Sequence, residues 1–555
     1  MSATEDRSST RSGGRSQTAA EQGDAVARES NDQEYDFVVI GSGFGGSVSA
    51  LRLVEKGYRV LMLEKGRRFA PTDFPKSNWD LKKWLWWPSL GMRGLFQMSF
   101  FRHVTVLSGV GVGGGSLVYA NTLPVPKDDF FNAPSWGHLA DFKRELEPHY
   151  ATAKKMLGAT ENPSSTFSDD VLKEIGADLG RPHKPNSVAV YFGKPGVEVA
   201  DPYFGGEGPH RTGCTGCGHC MLGCPVGAKN TLDKNYLWFA EKRGLQLIAE
   251  AKVTWVHPRE GGGYTVEAEV GLDAREPRKF MTKGVVFSGG VLGTVPLLLR
   301  LKASADGLPK LSDKVGDFVR TNNEALIGVT TKRKDLDLSK GIAIGSILET
   351  DDHSHLEPVR YPEGSGAFRL LGAPQVNGDT FFSRLVKLIT ATARHPIDTT
   401  RAYFVKDWAK STLILLYMRT VDGHLRFELK KDKRTVGTAL AEGPAPTANI
   451  PEAGELARRV AEKIDGVPMT LVTETLGGIP TTAHILGGAC MGRSADDGVI
   501  DHQHRVFGYD NLYVVDGSAI SANPGVNPSL TITALAERAM SFVPPKRGQS
   551  PFSGV

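Results

Sequence analysis

Cysteine is scarce, at five in 555 residues. So few thiols argue against a disulfide framework and for metal or catalytic roles in a reducing compartment. Long apolar runs are missing as well. Residues 104–126 carry no charge but are broken by glycine and proline, and the richer run 284–299 contains Pro296 and falls short of the ~18 residues of a spanning helix. The first ~30 residues hold no apolar stretch of the kind a secretory leader needs. A tail over 1–33 and a cytoplasmic location are therefore expected. A net charge of +4 is mild for this length and gives no reason to expect nucleic acid. What is present is ordinary globular material, 40% hydrophobic and 23% charged, enough for two or three lobes. The 64 glycines stand out because several are clustered, as where backbone approaches a ligand closely.

The stretch YDFVVIGSGFGGSVSALRLVEKGYRVLMLEKG from Tyr35 reads as strand, turn, helix, strand. Gly41 and Gly43 form the tight turn, and Gly46 lets the helix pack on the sheet. Backbone N–H groups and a helix N-terminus then face a pyrophosphate. Glu64 follows Gly41 by 23 residues and ends the second strand, where an acid meets a ribose hydroxyl. These features predict dinucleotide binding. Three later segments extend the pattern: LSGVGVGGGSLVYANT (107–122), GVVFSGGVLGT (284–294) and NLYVVDGSAISANPGVNPSLTITALAERA (511–539). The last reads as a strand, a loop and a helix with Asn527 as N-cap and Pro528 at its first position.

With GSGFGGSV, GVGGGSL, AHILGG and the 511–539 motif in this order, residues 35–542 resemble the glucose–methanol–choline (GMC) flavoprotein oxidoreductases, most closely their cholesterol oxidase branch. The resemblance implies FAD. It also implies an α/β fold, α+β overall, with a Rossmann-like FAD domain and an inserted substrate domain on an antiparallel or mixed sheet. Implied flavin contacts are Gly41, Gly43, Gly46, Glu64, Gly115, Tyr119, Asn121, Val253, Asp516, Gly517 and Asn527. Tyr119 and Ala120 stand where the branch carries Asn and Gly.

Oxidising an alcohol on a flavin sends a hydride to N5 and a proton to a nearby base, most often histidine. Of fourteen histidines, His484 in TTAHILGGACMG matches the family's active-site histidine. The matching asparagine, Asn527, is implied to meet the substrate hydroxyl. Its helix N-terminus would favour negative charge on reduced flavin. Glu357, in SHLEPVRYP, is the implied base for moving a steroid double bond after oxidation.

Four of the eight tryptophans, Trp79, Trp84, Trp86 and Trp87, lie among lysines and an arginine. That pattern suits a lip touching a membrane surface or a lid over the pocket, and both favour a bulky apolar alcohol such as a sterol. Stretches 131–204 and 333–473 lack Rossmann cues and are expected to form the substrate domain, a sheet roofing the pocket. STLILLYMRTVDGHLRFELKKD within it reads as paired strands. The FAD domain is then 34–130, 205–332 and 474–545, with a tail over 546–555.

The remaining cysteines concentrate in CTGCGHCMLGCP. Cys214, Cys217, Cys220 and Cys224 have the C-x2-C-x2-C-x3-C spacing of bacterial ferredoxins, followed by Pro225. A [4Fe–4S] cluster, completed by Cys224 or by remote Cys490, or a [3Fe–4S] cluster fits this run. Structural zinc and free or redox-active thiols are alternatives. Such a cluster would give a dehydrogenase serving a protein or quinone acceptor in place of an oxidase using O2. The leading expectation is oxidation of a 3β-hydroxysteroid, with Δ5-to-Δ4 isomerisation. The alternatives are a GMC dehydrogenase for another bulky alcohol and a catalytically idle redox sensor or electron-transfer protein.

Overall fold

The computed structural model describes residues 34–548 except 377, 379 and 395, so the expected tails over 1–33 and most of 546–555 lie outside the described residues. The apolar strand Tyr35–Ile40 sits inside a parallel array, between Val60–Leu63 and the long strand Glu276–Phe287. Gln246–Ile248 extends the array beyond Val60–Leu63. One edge of Glu276–Phe287 serves two partners. Its first half pairs antiparallel with Tyr264–Val270, and Val285–Phe287 pair parallel with Leu512–Val514. Helix Phe44–Glu55 packs on this sheet as the glycine pattern requires: a Cβ on Gly46 would come within 2.0 Å of the Gly41 carbonyl oxygen. The sheet core is continuous with helices Phe142–Met156 and Ser529–Ser541, so residues 131–157 belong to this body and not to the substrate domain.

A second, antiparallel sheet forms the roof. Its order is Gly372–Pro374, Gly466–Leu471, Ala325–Thr331, Thr412–Arg419, Ser354–Val359, Ser346–Glu349, His183–Pro185. Ala325–Thr331 lies inside it, between Gly466–Leu471 and Thr412–Arg419, so the expected boundary at 332 leaves a roof strand with the FAD domain. Alternation sorts the faces. Leu413, Leu415 and Tyr417 pack under helix Pro451–Ile464, whereas Thr412, Ile414 and Leu416 face a cavity. The reading of Thr412–Arg419 and His424–Leu429 as a pair is corrected. The second strand pairs with Val319–Arg320 and Val436–Leu440 in a separate small sheet. Period-2 patterning marks a strand but does not choose its partner.

Candidate active site

One cavity of about 710 Å³ runs between the two sheets. Its nucleotide end is lined by Gly41, Gly43, Glu64, Gly115, Tyr119 and Val253, and its reactive end by His484, Asp516, Gly517 and Asn527. Segments more than 450 residues apart in sequence thus meet at one site, as 527 and 41 require. The strands Tyr35–Ile40 and Val60–Leu63 end at this cavity and aim their following turns into it.

The residues fit an FAD. A Cβ on Gly43 would meet nothing within 4 Å, so space for a pyrophosphate lies beside the turn. Glu64 is held as an acceptor: Ser42 donates from N–H at 3.0 Å and from Oγ at 2.8 Å, and the Gly66 N–H donates at 2.8 Å. Its remaining lone pairs suit ribose hydroxyls. Tyr119 lines the wall with its ring, edge-on to Phe44, and donates its hydroxyl away from the cavity to the Asn230 carbonyl at 2.9 Å. Asp516 accepts from the Gly290 N–H at 2.8 Å and the Thr294 hydroxyl at 2.6 Å, joining the third glycine segment to the C-terminal one. Two implied contacts sit off the wall. Gly46 is a packing glycine, and Asn121 is fully buried behind Ala120 and Thr122, beside Cys220.

At the reactive end, His484 Nδ1 donates to Glu324 Oε2 at 2.5 Å, and the Ala483 N–H donates to the other oxygen of the same carboxyl. The imidazole is fixed, with Nε2 left for the cavity. Burial pushes the His484 pKa down, but the Glu324 carboxylate outweighs it and holds the value above the ordinary 6.5. Glu324 was not anticipated from the sequence. Its only local signal is the pair Asn322–Asn323, both in the left-handed backbone region, which turns the chain just before the acid.

Asn527 lies next to this pair, and the expected cap is corrected. The helix begins at Ser529 with Pro528 in the cap position, and no side chain caps it. The Asn527 amide is therefore free of the helix and is turned toward Glu357, with its Oδ1 lacking a partner inside the protein. Glu357 is completely buried, just behind the cavity wall, on strand Ser354–Val359 opposite Leu416, which does line the cavity. Asn186 donates to its Oε1 at 3.0 Å, and its Oε2 has no partner. Burial raises its pKa to about 7, against the pull of Asn527, Asn186 and His484. Three groups named from the sequence thus converge, and two supporting residues, Glu324 and Asn186, join them.

Beyond the reactive end the wall is mostly apolar, with Phe96, Leu107, Met221, Leu326, Phe368, Trp408, Ile414 and Leu416 among its lining residues. Of the tryptophan group, Trp84 is buried and stacks on Phe96 with ring centroids 5.1 Å apart, so it belongs to the lid, whereas Trp79 and Trp87 are exposed. Cys214, Cys217, Cys220 and Cys224 are free thiols lining a separate cavity of about 20 Å³. Cys490 does not join them: it is buried where the Arg320 guanidinium donates to its sulfur at 3.6 Å, and its thiol points to the Ile520 carbonyl. Among the described residues, no three His, Cys, Asp or Glu side chains converge as a metal site requires, so the geometry supports neither the expected iron–sulfur cluster nor zinc.

Comparison with known proteins accords with this geometry. Family models described as GMC oxidoreductase match residues 208–309 and 435–536, and an NAD(P)-binding Rossmann-like model matches 39–77. The chain is 46% identical to a cholesterol oxidase of Acinetobacter baumannii, over 93% of this chain and 95% of that one. It is 45% identical to a cholesterol oxidase of Mycobacterium tuberculosis over 92% of each. Among solved structures, pyridoxine 4-oxidase from Mesorbium loti superposes with a TM-score of 0.61 at 16% identity, covering 92% of this chain and 99% of that one, which shows the shared fold.

Proposed function

Because the chain belongs to the GMC oxidoreductases, FAD-dependent enzymes acting on CH–OH groups, we propose that it oxidises the 3β-hydroxyl of a sterol such as cholesterol. It then shifts the ring double bond from Δ5 to Δ4, and O2 is the electron acceptor. The observation that carries this reading is Glu357. A buried carboxyl with a pKa near 7 stands beside the alcohol-binding pair, where simple alcohol oxidation has no need of it. The apolar cavity suits a fused-ring substrate, and the relatives named above are cholesterol oxidases.

Bound FAD supplies the two-electron acceptor for the carbinol hydride. His484 Nε2 accepts the hydroxyl proton, and Glu324 stabilises the imidazolium that results. The unpartnered Asn527 oxygen and the histidine hold the hydroxyl in one orientation. Glu357, once ionised, takes a proton from the carbon between ketone and double bond and returns it at the far end of the shifted bond. The test is anaerobic addition of cholesterol followed by flavin absorbance and by conjugated-ketone formation. Bleaching by a long-chain alcohol but not by a sterol would overturn the assignment.

A second observation bears on substrate entry. Helix Phe381–Arg394 buries none of its side chains: Phe382 is 76% exposed, and Val386 and Ile389 are each 58% exposed. It leads into helix Pro396–Phe404, whose Ala402 and Tyr403 line the cavity. We infer that this apolar face, with Lys387 and Arg394 beside it, rests on a lipid surface and admits the sterol. Among the described residues no helix is long and apolar enough to cross a membrane.

A further inference from the structure

We propose that His355 and Glu349 relay protons between buried Glu357 and solvent along one face of the roof sheet. Glu357 sits behind the cavity wall with none of its surface exposed. A base sealed in this way is reset between turnovers only if protons reach it through the protein. The inference rests on the role given to Glu357 above.

Strand register supplies the path. Side chains alternate along Ser354–Val359, so His355 and Glu357 share a face while Leu356 turns the other way, into the core under helix Pro451–Ile464. On the neighbouring strand Glu349 is paired with His355, as Leu348 is with Leu356. Glu349 therefore stands beside the imidazole on the face it shares with Glu357. The His355 Nε2 lies 3.9 Å from Glu357 Oε1. His355 is 1% exposed, and neither its Nε2 nor Glu357 Oε2 makes a hydrogen bond among the described residues. Buried polar atoms are seldom left unpaired without a use, and a small turn of the ring brings these two groups into hydrogen-bond contact.

The two ends of the row differ as a relay requires. Glu349 is 17% exposed and is bound by Lys127 Nζ at 2.7 Å and Lys184 Nζ at 3.0 Å. Burial raises its pKa, but the two lysines outweigh burial and hold it below the ordinary range, so it is an ionised acceptor at the surface. Burial takes the His355 pKa down to about 3 against the pull of Glu349, with Lys127, Lys184 and His484 adding to the fall. The ring is thus neutral at rest and does not hold the proton that Glu357 needs. Glu357 gives its proton to Nε2, the ring releases the Nδ1 proton to Glu349, and Glu349 yields it to water. Glu357 is left ionised and His355 neutral in its other tautomer. The reverse sequence protonates Glu357.

The experiment runs sterol turnover in D2O with the full-length, FAD-loaded protein and reads deuterium at the far end of the shifted bond by mass spectrometry. The parent's product should carry solvent deuterium. His355→Phe and Glu349→Gln should lose most of it, because the proton taken from the substrate is then returned to it. A merely structural His355 would slow isomerisation and leave the deuterium fraction unchanged, and that result in both variants overturns the proposal. So does a parent whose product carries no solvent deuterium. A second readout needs no turnover: the infrared carboxyl band of protonated Glu357, identified by its loss in Glu357→Gln, is timed as it shifts on transfer to D2O. Exchange should be slowed in both variants, and equal rates overturn the relay. If the parent forms no conjugated ketone, the isomerase reading of Glu357 fails and the infrared rates alone decide the relay. Should His355→Phe fail to retain FAD, Glu349→Gln carries both measurements.

Discussion

Replacing Glu357 with glutamine separates two roles of one side chain. Glutamine keeps the shape and an oxygen for Asn186 but carries no charge. The folded-state pKa of Glu357 is raised from 4.5 to about 7 because burial penalises the carboxylate. With the unfolded group near its ordinary value, the folded protein binds more protons across that window, so stability falls as pH rises through it. The difference of about 2.5 pKa units corresponds to about 3 kcal/mol of stability lost above neutrality, in order of magnitude. The glutamine variant does not incur this loss. Its melting temperature should match the parent at about pH 5 and exceed it at about pH 8. In turnover, the variant should still oxidise the sterol but release the unconjugated ketone, with isomerisation slowed by roughly 10²–10⁴-fold. The parent's isomerisation should fade as pH drops below about 7, because the base must be ionised to take its proton. A melting difference that does not change with pH, or undiminished conjugated product, would refute the reasoning.

Glu324→Gln should lower kcat/KM by about 10²-fold and move the acid limb of its pH profile to lower pH. Without the carboxylate, burial is opposed only by the weaker pull of Glu357 on His484, so a profile that keeps its midpoint argues for a merely structural Glu324. Gly114→Ala should reduce bound FAD, measured by the absorbance ratio of purified protein, since Gly114 has φ +52° and a Cβ there would come within 2.6 Å of the Gly43 Cα. Phe382→Asp with Ile389→Asp should weaken cosedimentation with anionic vesicles and raise KM for vesicle-borne cholesterol. Turnover of detergent-dispersed cholesterol should hold, and equal vesicle binding would remove the lipid-contact reading.

The nucleotide half of the site was legible because its signals are local. Gly41, Gly43, Gly46 and Glu64 sit in one strand–helix–strand unit whose spacing is fixed by geometry. His484 and Asn527 were reached through resemblance, yet their support was not. Glu324 lies 160 residues from the histidine it holds, and no periodicity encodes that meeting. Asn527 reads as a helix cap because Pro528 follows it. The helix starts one residue later, and the amide serves the cavity instead. Alternation marked strands correctly at Thr412–Arg419 and His424–Leu429, but not their partners: the first joins earlier roof strands, and the second turns to the next strand, Val436–Leu440, in a different sheet.

The short strand Leu512–Val514 docks beside residues made more than 220 positions earlier, at Val285–Phe287. A ribosome therefore releases almost the whole polypeptide before the Rossmann sheet has its last neighbour and before Asn527 exists to face Glu357. Cofactor capture is consequently expected to be a late, post-synthetic event, and a chain ending before Leu512 should emerge colourless even when FAD is abundant.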